Sequence, residues 1–297
     1  MKPQKQNIHG VVLLNKATGM SSNKALQKVK YLYNAKKAGH TGSLDPLATG
    51  LLPICLGQAT KVTEYSLGAD KKYSTLIKLG EVTDTYDSEG QVIDSQPVNV
   101  ADEQVQSALA QFRGQIMQVP PMYSALKKDG QPLYKLARQG EVIDRPARNM
   151  TVHALTAEQI DQQHYRLNVH CSSGFYIRSL AHDLGQVLGC GAHVVALHRT
   201  QSKGVGLEHA VSLEELEDPQ IRQKALQPID LLLKDLPCLN ISQTQVDSLL
   251  HGKSTSALGL VAAELTRLYH PNGSLFALGT VTNEGCLKTN KMFIYGE

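Results

Sequence analysis

The chain has 297 residues, 41% of them hydrophobic, and a formal net charge of +3 at pH 7, which suits one large globular domain or two smaller ones. No apolar run approaches the roughly 18 residues of a membrane span, and the N-terminal stretch MKPQKQNIHGVVLLNK lacks the apolar segment of a signal peptide. The 5 cysteines form no C-x-x-C pair, which argues against a disulfide framework or zinc site and predicts a cytoplasmic protein.

The charge is unevenly distributed along the chain. No acidic residue precedes Asp45, and a second basic stretch runs from Arg113 to Arg148. Blocks of one sign indicate a surface that binds a polyanion, for which nucleic acid is the natural candidate, although solvated helix faces are a simpler alternative. The lysines before Asp45 are Lys2, Lys5, Lys16, Lys24, Lys28, Lys30, Lys36 and Lys37.

The first elements are a strand and a helix. The apolar run GVVLLNK, residues 10–16, predicts a buried strand bounded by turn residues. In SSNKALQKVKYLY, Ser21 or Ser22 can cap a helix that buries Leu26, Val29 and Tyr33. The lysines of this helix then lie on another face, as a basic stripe.

The next segment, GHTGSLDPLATGLLPICLGQATK (residues 39–61), has a single carboxylate, Asp45, directly before Pro46. A residue before proline favours extended or turn geometry over helix, and Gly39, Gly42 and Gly50 allow a positive φ or a close approach. We therefore expect a rigid loop that presents Asp45. A tight β-connection in which the aspartate caps the next turn is the alternative.

Further along, the chain alternates between strand and helix patterns. We predict a strand running into a turn from KKYSTLIKLGEVTDTYDSEG and a short amphipathic helix from DEQVQSALAQFRG. Another strand is predicted from HVVALHR. HYRLNVHC alternates apolar and polar residues, as a half-buried strand does. FYIRSLAHDLGQVLG predicts a helix ending at Gly189, with an apolar face formed by Ile177, Leu180, Ala181, Leu184, Val187 and Leu188.

This mixture without a regular βαβ repeat predicts an α+β fold, with a mixed, largely antiparallel central sheet and flanking helices. After Pro237 the sequence pattern changes to short strand-like runs separated by the turn sequences PNG and NEG. We expect a catalytic or binding domain over residues 1–235 and a small β-rich domain over residues 236–297.

Common catalytic motifs are missing from the sequence. The glycine-rich segment lacks the G-K-[ST] ending of a P-loop and does not match G-x-G-x-x-G, and neither H-E-x-x-H nor G-x-S-x-G occurs. The absence of these motifs argues against a metal site, a nucleotide cofactor and a serine hydrolase. The remaining candidates for catalysis are the carboxylate of Asp45 and arginine and tyrosine residues elsewhere in the chain.

Several of these segments, in this order, resemble the TruB-type tRNA pseudouridine synthases. The resemblance is strong over residues 8–235, and the tail resembles the family's small PUA-like C-terminal domain more weakly. It implies isomerisation of uridine to pseudouridine at position 55 in the T-loop of tRNA. The expected partner is the T-loop and stem of tRNA. The resemblance implies no cofactor, no metal, no membrane and no obligatory protein partner. The segments are NKATGMSSNKALQKVK, GHTGSLDPLATGLLPICLGQATK, MYSALKKDGQPLYKLARQGEVIDRPAR, CSSGFYIRSLAHDLG and CGAHVVALHRT.

The resemblance also assigns roles to individual residues. Asp45 matches the family's essential aspartate, which could act as a nucleophile or as a base, and Arg178 matches a cation beside it. Taken alone, each of the other matched residues is more simply explained by core packing or a turn. By resemblance, Tyr73 stacks on the target base, Tyr176 and Leu197 line the same pocket, and His40 fills the space that the extruded base leaves.

A basic segment, residues 122–149, matches the family's mobile thumb, which clamps the RNA loop. By resemblance its cations contact phosphates: Lys127, Lys128, Lys135 and Arg138. The sequence departs from the family at Ala17, where proline is common, and at His198 and Gln201, where arginine is common. We assign no RNA contact to His198 or Gln201, and we expect Ala17 to affect one turn.

Two other functions remain open at the level of sequence. An RNA-binding or RNA-folding protein could retain this scaffold without turnover, although it would have no need of Asp45 paired with Arg178. A carboxylate-dependent N-glycosidase would use similar residues and release free uracil.

Overall fold

The computed structural model of the protein describes residues 5–257 and 263–295. Within these ranges no helix is long and apolar enough to cross a membrane. The helices are α1 (Ser22–Leu32), α2 (Thr63–Leu67), α3 (Asp102–Leu109), α4 (Leu133–Arg138), α5 (Ile177–Leu188), α6 (Pro219–Ala225) and α7 (Gln243–Leu250).

The strands divide between one large sheet, one smaller sheet and two short hairpins. The first nine are β1 (Gly10–Lys16), β2 (Ala38–His40), β3 (Thr49–Leu56), β4 (Lys71–Leu79), β5 (Glu81–Thr83), β6 (Val92–Ser95), β7 (Gly114–Gln118), β8 (Lys127–Lys128) and β9 (Gln131–Pro132). The others are β10 (Arg148–Gln159), β11 (His164–Cys171), β12 (Ala192–Ser202), β13 (Leu226–Gln227), β14 (Cys238–Asn240), β15 (Thr255–Ser256), β16 (Ala263–Tyr269), β17 (Leu275–Val281) and β18 (Cys286–Met292).

The large sheet has the order β13-β1-β3-β12-β4-β11-β10-β7, with β2 paired to β3. Adjacent strands of this sheet are antiparallel, except β12 and β3, which run parallel. Helix α5 packs on β12 and contacts α3, while α1 packs on β3. The predicted α+β class with a mixed, largely antiparallel sheet and flanking helices is confirmed.

Local sequence patterns explain several of these elements. Ser21 caps α1, since its hydroxyl accepts a hydrogen bond from the Lys24 amide at 3.2 Å. Helix α5 ends at Gly189, whose φ of 74° is left-handed, as predicted. One detail was wrong: Val187 is exposed, because the buried stripe of α5 is narrower than the apolar pattern suggested. In β11 the alternate residues are buried as predicted: Tyr165, Leu167, Val169 and Cys171.

The smaller sheet, ordered β14-β16-β17-β18-β15, is built from residues that follow Pro237. A small β-rich C-terminal unit was predicted and is confirmed, but it also contains α7, which was missed. The signal for α7 is the capping box of Ser242 and Gln245, whose side chains each bond the other's backbone amide.

The two sheets share a hydrophobic cluster. It combines Val11, Leu13 and Leu51 of β1 and β3 with Leu278 of β17 and with Phe293. The Lys61 ammonium also donates to the Met292 carbonyl at 2.7 Å. The smaller sheet therefore packs against one face of the large sheet, and the division into residues 1–235 and 236–297 stays a proposal about organisation.

Candidate active site

Asp45 lies on an irregular loop, residues 41–48, between β2 and β3. Two backbone contacts of one side chain fix the loop next to α1: the Ser22 hydroxyl donates to the Leu44 carbonyl at 2.9 Å and lies 2.7 Å from the Leu44 amide, which donates to it. The sequence correctly predicted a non-helical loop here. Gly39, however, lies within β2 and takes no left-handed φ, unlike Gly42 at +142° and Gly50 at +96°.

The other side of the loop is held by Arg199, which is almost completely buried. Its guanidinium donates to the carbonyls of Gly42 at 3.1 Å, Ser43 at 3.3 Å and Leu51 at 2.7 Å. Gly50 lets the two backbones meet, since a Cβ there would lie 2.4 Å from the Arg199 carbonyl oxygen. One arginine of β12 thus ties the loop to the middle of the sheet.

Lys16 provides a third attachment at the end of β1. Its buried ammonium donates to the carbonyls of Ala17 at 2.9 Å, Met20 at 2.8 Å and Pro46 at 3.4 Å. Burial lowers the pKa of Lys16 to about 8, although the Asp45 carboxylate opposes that shift. Lys16 therefore binds the residue that directly follows Asp45 and contributes positive charge beneath the carboxylate.

Asp45 forms an ion pair with Arg178. The distance from Arg178 Nη2 to Asp45 Oδ2 is 2.9 Å, and the two side chains are 5% and 42% exposed. The same guanidinium donates to the carbonyls of Thr85 at 3.0 Å and Tyr123 at 2.7 Å, and its Nη1 lies 3.4 Å from Asp87 Oδ2. A buried arginine with four partners thus holds a carboxylate that remains partly open to solvent.

Asp45 borders a cavity of about 300 Å³ whose lining includes Tyr73, Tyr176, Leu197 and Arg178. This volume is at the lower end of the ~300–1,000 Å³ typical of ligand pockets. Burial raises the pKa of the Tyr73 phenol, so that this ring is neutral at physiological pH. The structure therefore brings together five of the residues that the sequence singled out, and its cavity combines aromatic and apolar walls with one ion pair.

The backbone of Tyr176 is fixed by Gln118 at the end of β7. The Gln118 side chain accepts from the Tyr176 amide at 2.8 Å and donates to its carbonyl at 3.0 Å. Tyr176 is also the residue directly before α5, the helix that carries Arg178. The aromatic wall and the cation of the site are therefore positioned by one short segment.

The remaining predicted residues lie outside the cavity lining. His40 is half-buried at the end of β2, where its Nδ1 accepts from the Gly42 amide at 3.4 Å. Burial and then the Arg199 charge lower the pKa of the His40 imidazole. The four cations of the thumb segment are exposed on the β8–β9 hairpin and α4: Lys127, Lys128, Lys135 and Arg138.

The positions that depart from the family pattern have local partners. His198 Nδ1 lies 2.8 Å from the Thr49 hydroxyl, and the Ala17 carbonyl accepts from Lys16. Gln201 follows an irregularity in the pairing of β12 with β4. The His198 contact joins β12 to the start of β3, and the Ala17 contact is with the last residue of β1.

Sequence reasoning missed Asp87, Arg199 and Lys16 as parts of the site. Asp87 accepts from the Thr85 hydroxyl at 2.6 Å and from the Glu89 amide at 3.1 Å, and is buried beside Arg178. A charged residue inside an apolar strand was the available signal for Lys16 in GVVLLNK and for Arg199 in HVVALHRT, because buried charges need partners.

The sequence matches known protein families over most of its length. Residues 30–177 match the family model described as TruB family pseudouridylate synthase (N terminal domain), and residues 178–236 match the tRNA pseudouridylate synthase B C-terminal domain. The chain is 46% identical to tRNA pseudouridine synthase B of Ectopseudomonas mendocina (strain ymp), over 100% of this chain and 99% of that protein. It is also 46% identical to that of Shewanella woodyi (strain ATCC 51908 / MS32), over 98% and 96%.

Solved structures resemble the chain over most of its length. A chain of a Cbf5-Nop10-Gar1 complex matches with a TM-score of 0.74 and 26% identity, covering 96% of this chain and 85% of that one. A chain of an H/ACA RNP bound to a substrate RNA containing 2'-deoxyuridine matches with a TM-score of 0.72 and 25% identity, with the same coverage of 96% and 85%.

Proposed function

Because this chain belongs to the TruB family of pseudouridylate synthases, we propose that it acts on the uridine at position 55 in the T-loop of tRNA, with Asp45 as its catalytic carboxylate. The chain is a tRNA pseudouridine synthase, an isomerase that converts uridine to pseudouridine in tRNA. The observation that carries the assignment of Asp45 is its 2.9 Å ion pair with buried Arg178 at the cavity.

The reaction needs one carboxylate at the reacting carbon. The C–N glycosidic bond breaks, the uracil turns, and a C–C bond forms between a carbon of the uracil ring and the same ribose carbon. That ring carbon then loses its proton, and the ring nitrogen released from the ribose carries a proton in the product. Product and substrate are isomers, so our proposal includes no cofactor. Asp45 can add to the ribose carbon as a nucleophile or take a proton beside a developing oxocarbenium ion, and the proposal holds for either role.

Arg178 prepares the carboxylate for this work. The guanidinium, 2.9 Å from Asp45 Oδ2, fixes the orientation of the carboxylate, and the exposed fraction of Asp45 leaves it accessible to a ribose. Arg178 cannot move freely towards the substrate, because Asp87, Thr85 and Tyr123 hold its other donors. We therefore assign Arg178 to positioning and charge balance.

The cavity would receive the uracil after it is extruded from the loop. Tyr73 offers an aromatic face, and a base stacked on such a ring is stabilised by about 1–3 kcal/mol. Tyr176 and Leu197 complete an apolar slot beside the ion pair. His40, next to the Asp45 loop, is our candidate for filling the vacated position in the RNA stack.

The thumb segment is our candidate for the clamp on the RNA. Its first residues are part of the site, since Ser124 and Ala125 line the cavity and the Tyr123 carbonyl accepts from Arg178. Its lysines, Lys127 and Lys128, are exposed on the β8–β9 hairpin. Contacts of such cations with phosphates position an RNA without reading its sequence.

The test is Asp45→Asn, assayed for pseudouridine formation and for binding of the same unmodified tRNA transcript. Asparagine keeps the shape of aspartate but supplies neither nucleophile nor base, so turnover should fall by at least ~10³-fold. Binding should persist or tighten slightly, since phosphate contacts and stacking remain and one negative charge is removed. Mapping the modified nucleotide in the wild-type reaction tests position 55.

The matched control is Asp247→Asn, an exposed aspartate on α7, which should leave both readouts unchanged. Turnover that persists in the Asp45 variant would exclude Asp45 as the catalytic group. Release of free uracil by the wild-type protein would indicate an N-glycosidase. Equal binding with no pseudouridine from either form would favour an RNA-binding role.

A further inference from the structure

Two histidines and an aspartate meet on the large sheet away from the cavity: Asp70, His153 and His170. Asp70 Oδ2 lies 3.1 Å from His153 Nε2 and 3.9 Å from His170 Nε2. The two imidazole rings have centroids 4.7 Å apart at an angle of 46°. The three side chains are between 34% and 49% exposed, so solvent and small ions reach them.

Strand pairing explains why residues so distant in the chain meet. Strand β11 lies between β4 and β10, with His170 opposite Lys72 on one side and Ala154 on the other. Val152 pairs with Cys171 and Ala154 with His170, so His153 is the additional residue of a β-bulge. Asp70 directly precedes β4. The bulge directs His153 towards the other two side chains.

This cluster is separate from the candidate active site. Lys71 and Tyr73 line the active-site cavity, and successive residues of a strand point to opposite faces. Lys72, which pairs with His170, therefore lies on the reverse face of β4, and Asp70, directly before the strand, contacts the two histidines. The isomerisation as we propose it uses none of the three clustered residues.

The spacing of the three groups suits a metal ion. Ligand atoms about 2.0–2.1 Å from a tetrahedral zinc lie about 3.3–3.4 Å from one another. The two measured distances, 3.1 and 3.9 Å, fall on either side of that value, and all three ligand atoms lie within 4.8 Å of one another. Small rotations of exposed side chains are enough to close the remaining difference.

We propose that Asp70, His153 and His170 form a binding site for a divalent transition metal ion, with Zn²⁺ as the favoured occupant. Imidazole nitrogens with one carboxylate oxygen suit zinc, and water completes the four ligands. The bound ion joins β10 and β11 to the residue before β4, so it braces the strand end that carries Lys71 and Tyr73.

One neighbour opposes the metal. Lys72 is exposed opposite His170, and its positive charge repels a cation at this site. Lys72→Gln should therefore tighten metal binding by several-fold, more at low salt than at high salt. This gives the proposal a gain-of-binding test beside the loss-of-binding tests.

The experiment is calorimetric titration of the metal-stripped, full-length protein with Zn²⁺, repeated with Co²⁺ and followed by absorption. We expect one ion per chain at this site and a Co²⁺ spectrum without thiolate charge-transfer bands, which excludes the cysteines as ligands. Asp70→Asn, His153→Gln and His170→Gln should each weaken binding at least ~10-fold, since loss of a supporting group alone costs that much.

The matched control is His164→Gln, which removes another partly exposed histidine beside a carboxylate, 2.9 Å from Asp161. It should leave metal affinity unchanged, and circular dichroism should show every variant folded. Absence of stoichiometric binding, thiolate bands in the Co²⁺ spectrum, or wild-type affinity in the three ligand variants would each overturn the proposal.

Discussion

Arg178 joins parts of the chain that are far apart in sequence. Its guanidinium contacts Asp45 on one loop, Thr85 and Asp87 on a second, and Tyr123 at the start of the thumb segment. A planar guanidinium has five donors in fixed directions, whereas an ammonium is a compact point charge. The geometry of this one side chain therefore sets the orientation of Asp45.

We expect Arg178→Lys to lower kcat by at least ~10²-fold while tRNA affinity changes by less than ~3-fold, because charge survives but the fork of donors does not. Single-turnover kinetics and filter binding would measure the two effects. Arg166→Lys is the control, since Arg166 makes one exposed ion pair with Glu158 at 3.0 Å. Near wild-type turnover of the Arg178 variant would remove it from the site.

Single residues differ in how far the sequence revealed them. Asp45 stands out because it is the one carboxylate in a stretch of glycines and prolines, and Arg178 because of its segment's resemblance to a family. Asp87 owes its importance to its contact with Arg178, and Arg199 to its contacts with the Asp45 loop, and both join segments that are far apart in sequence. The same holds for Asp70, His153 and His170, which meet only because a bulge shifts the register by one residue.

The parallel contact between β3 and β12 depends on Gly50. Gly50→Ala would place a Cβ 2.4 Å from the Arg199 carbonyl oxygen, in addition to straining a φ of +96°. We expect it to lower the free energy of unfolding by ~2–5 kcal/mol and to reduce activity, because the loop moves with the strand.

Gly130→Ala is the control for this change, since Gly130 also has a left-handed φ, +81°, but open space around its Cβ position. Strain alone should cost that variant about 1–2 kcal/mol. Urea denaturation measures both, and equal decreases in stability would show that the close approach to Arg199 does not limit the fold.

Helix α5 carries Asp183. Burial raises the pKa of the Asp183 carboxyl from 3.8 to about 6. The folded protein holds this proton to higher pH than the unfolded chain does. Asp183 therefore destabilises the folded protein increasingly as pH rises from about 4 to about 6, and by a constant amount above that.

Asp183→Asn should accordingly raise the free energy of unfolding at pH 7, by less than the ~3 kcal/mol that the full shift represents, because the group is partly exposed. At pH 4 the variant and the wild type should be equally stable. Denaturation at both pH values tests this, with Asp247→Asn as the control. A gain of equal size at both pH values would contradict the burial argument.

Elements with a clear apolar period or an unbroken apolar run were predictable from the sequence. Strand β11 and helices α1 and α5 each bury one regular set of side chains, so their patterns are visible in the sequence. Strand β10 has twelve residues, but its burial is irregular on both faces, and it was missed. Sheet order was also out of reach, because it depends on pairings between distant segments.

The molecule as a whole is close to neutral, so RNA affinity must come from local concentrations of positive charge. Neutralising Lys127 and Lys128 together should weaken tRNA binding and reduce the slope of log K against log salt by about 0.7 for each phosphate that the protein no longer neutralises. Filter binding over a range of salt concentrations measures this slope.

The same double change at Lys224 and Lys234, outside the thumb segment, alters net charge equally and serves as the control. An unchanged slope in the thumb variant would place the RNA on another surface. A parallel decrease in affinity of both variants would indicate that net charge alone governs binding.

The position of β12 also bears on how the protein is made. This strand ends at Ser202 yet separates β3 from β4, and its pairing with β3 is short, joining His198 with Thr49 and Arg199 with Gly50. While a ribosome is still translating the first two thirds of the chain, both of these strands keep open edges that can pair with other nascent chains. The loop that bears Asp45 gains its contacts with Arg199 only after β12 has been translated, so the site can be completed only late in synthesis.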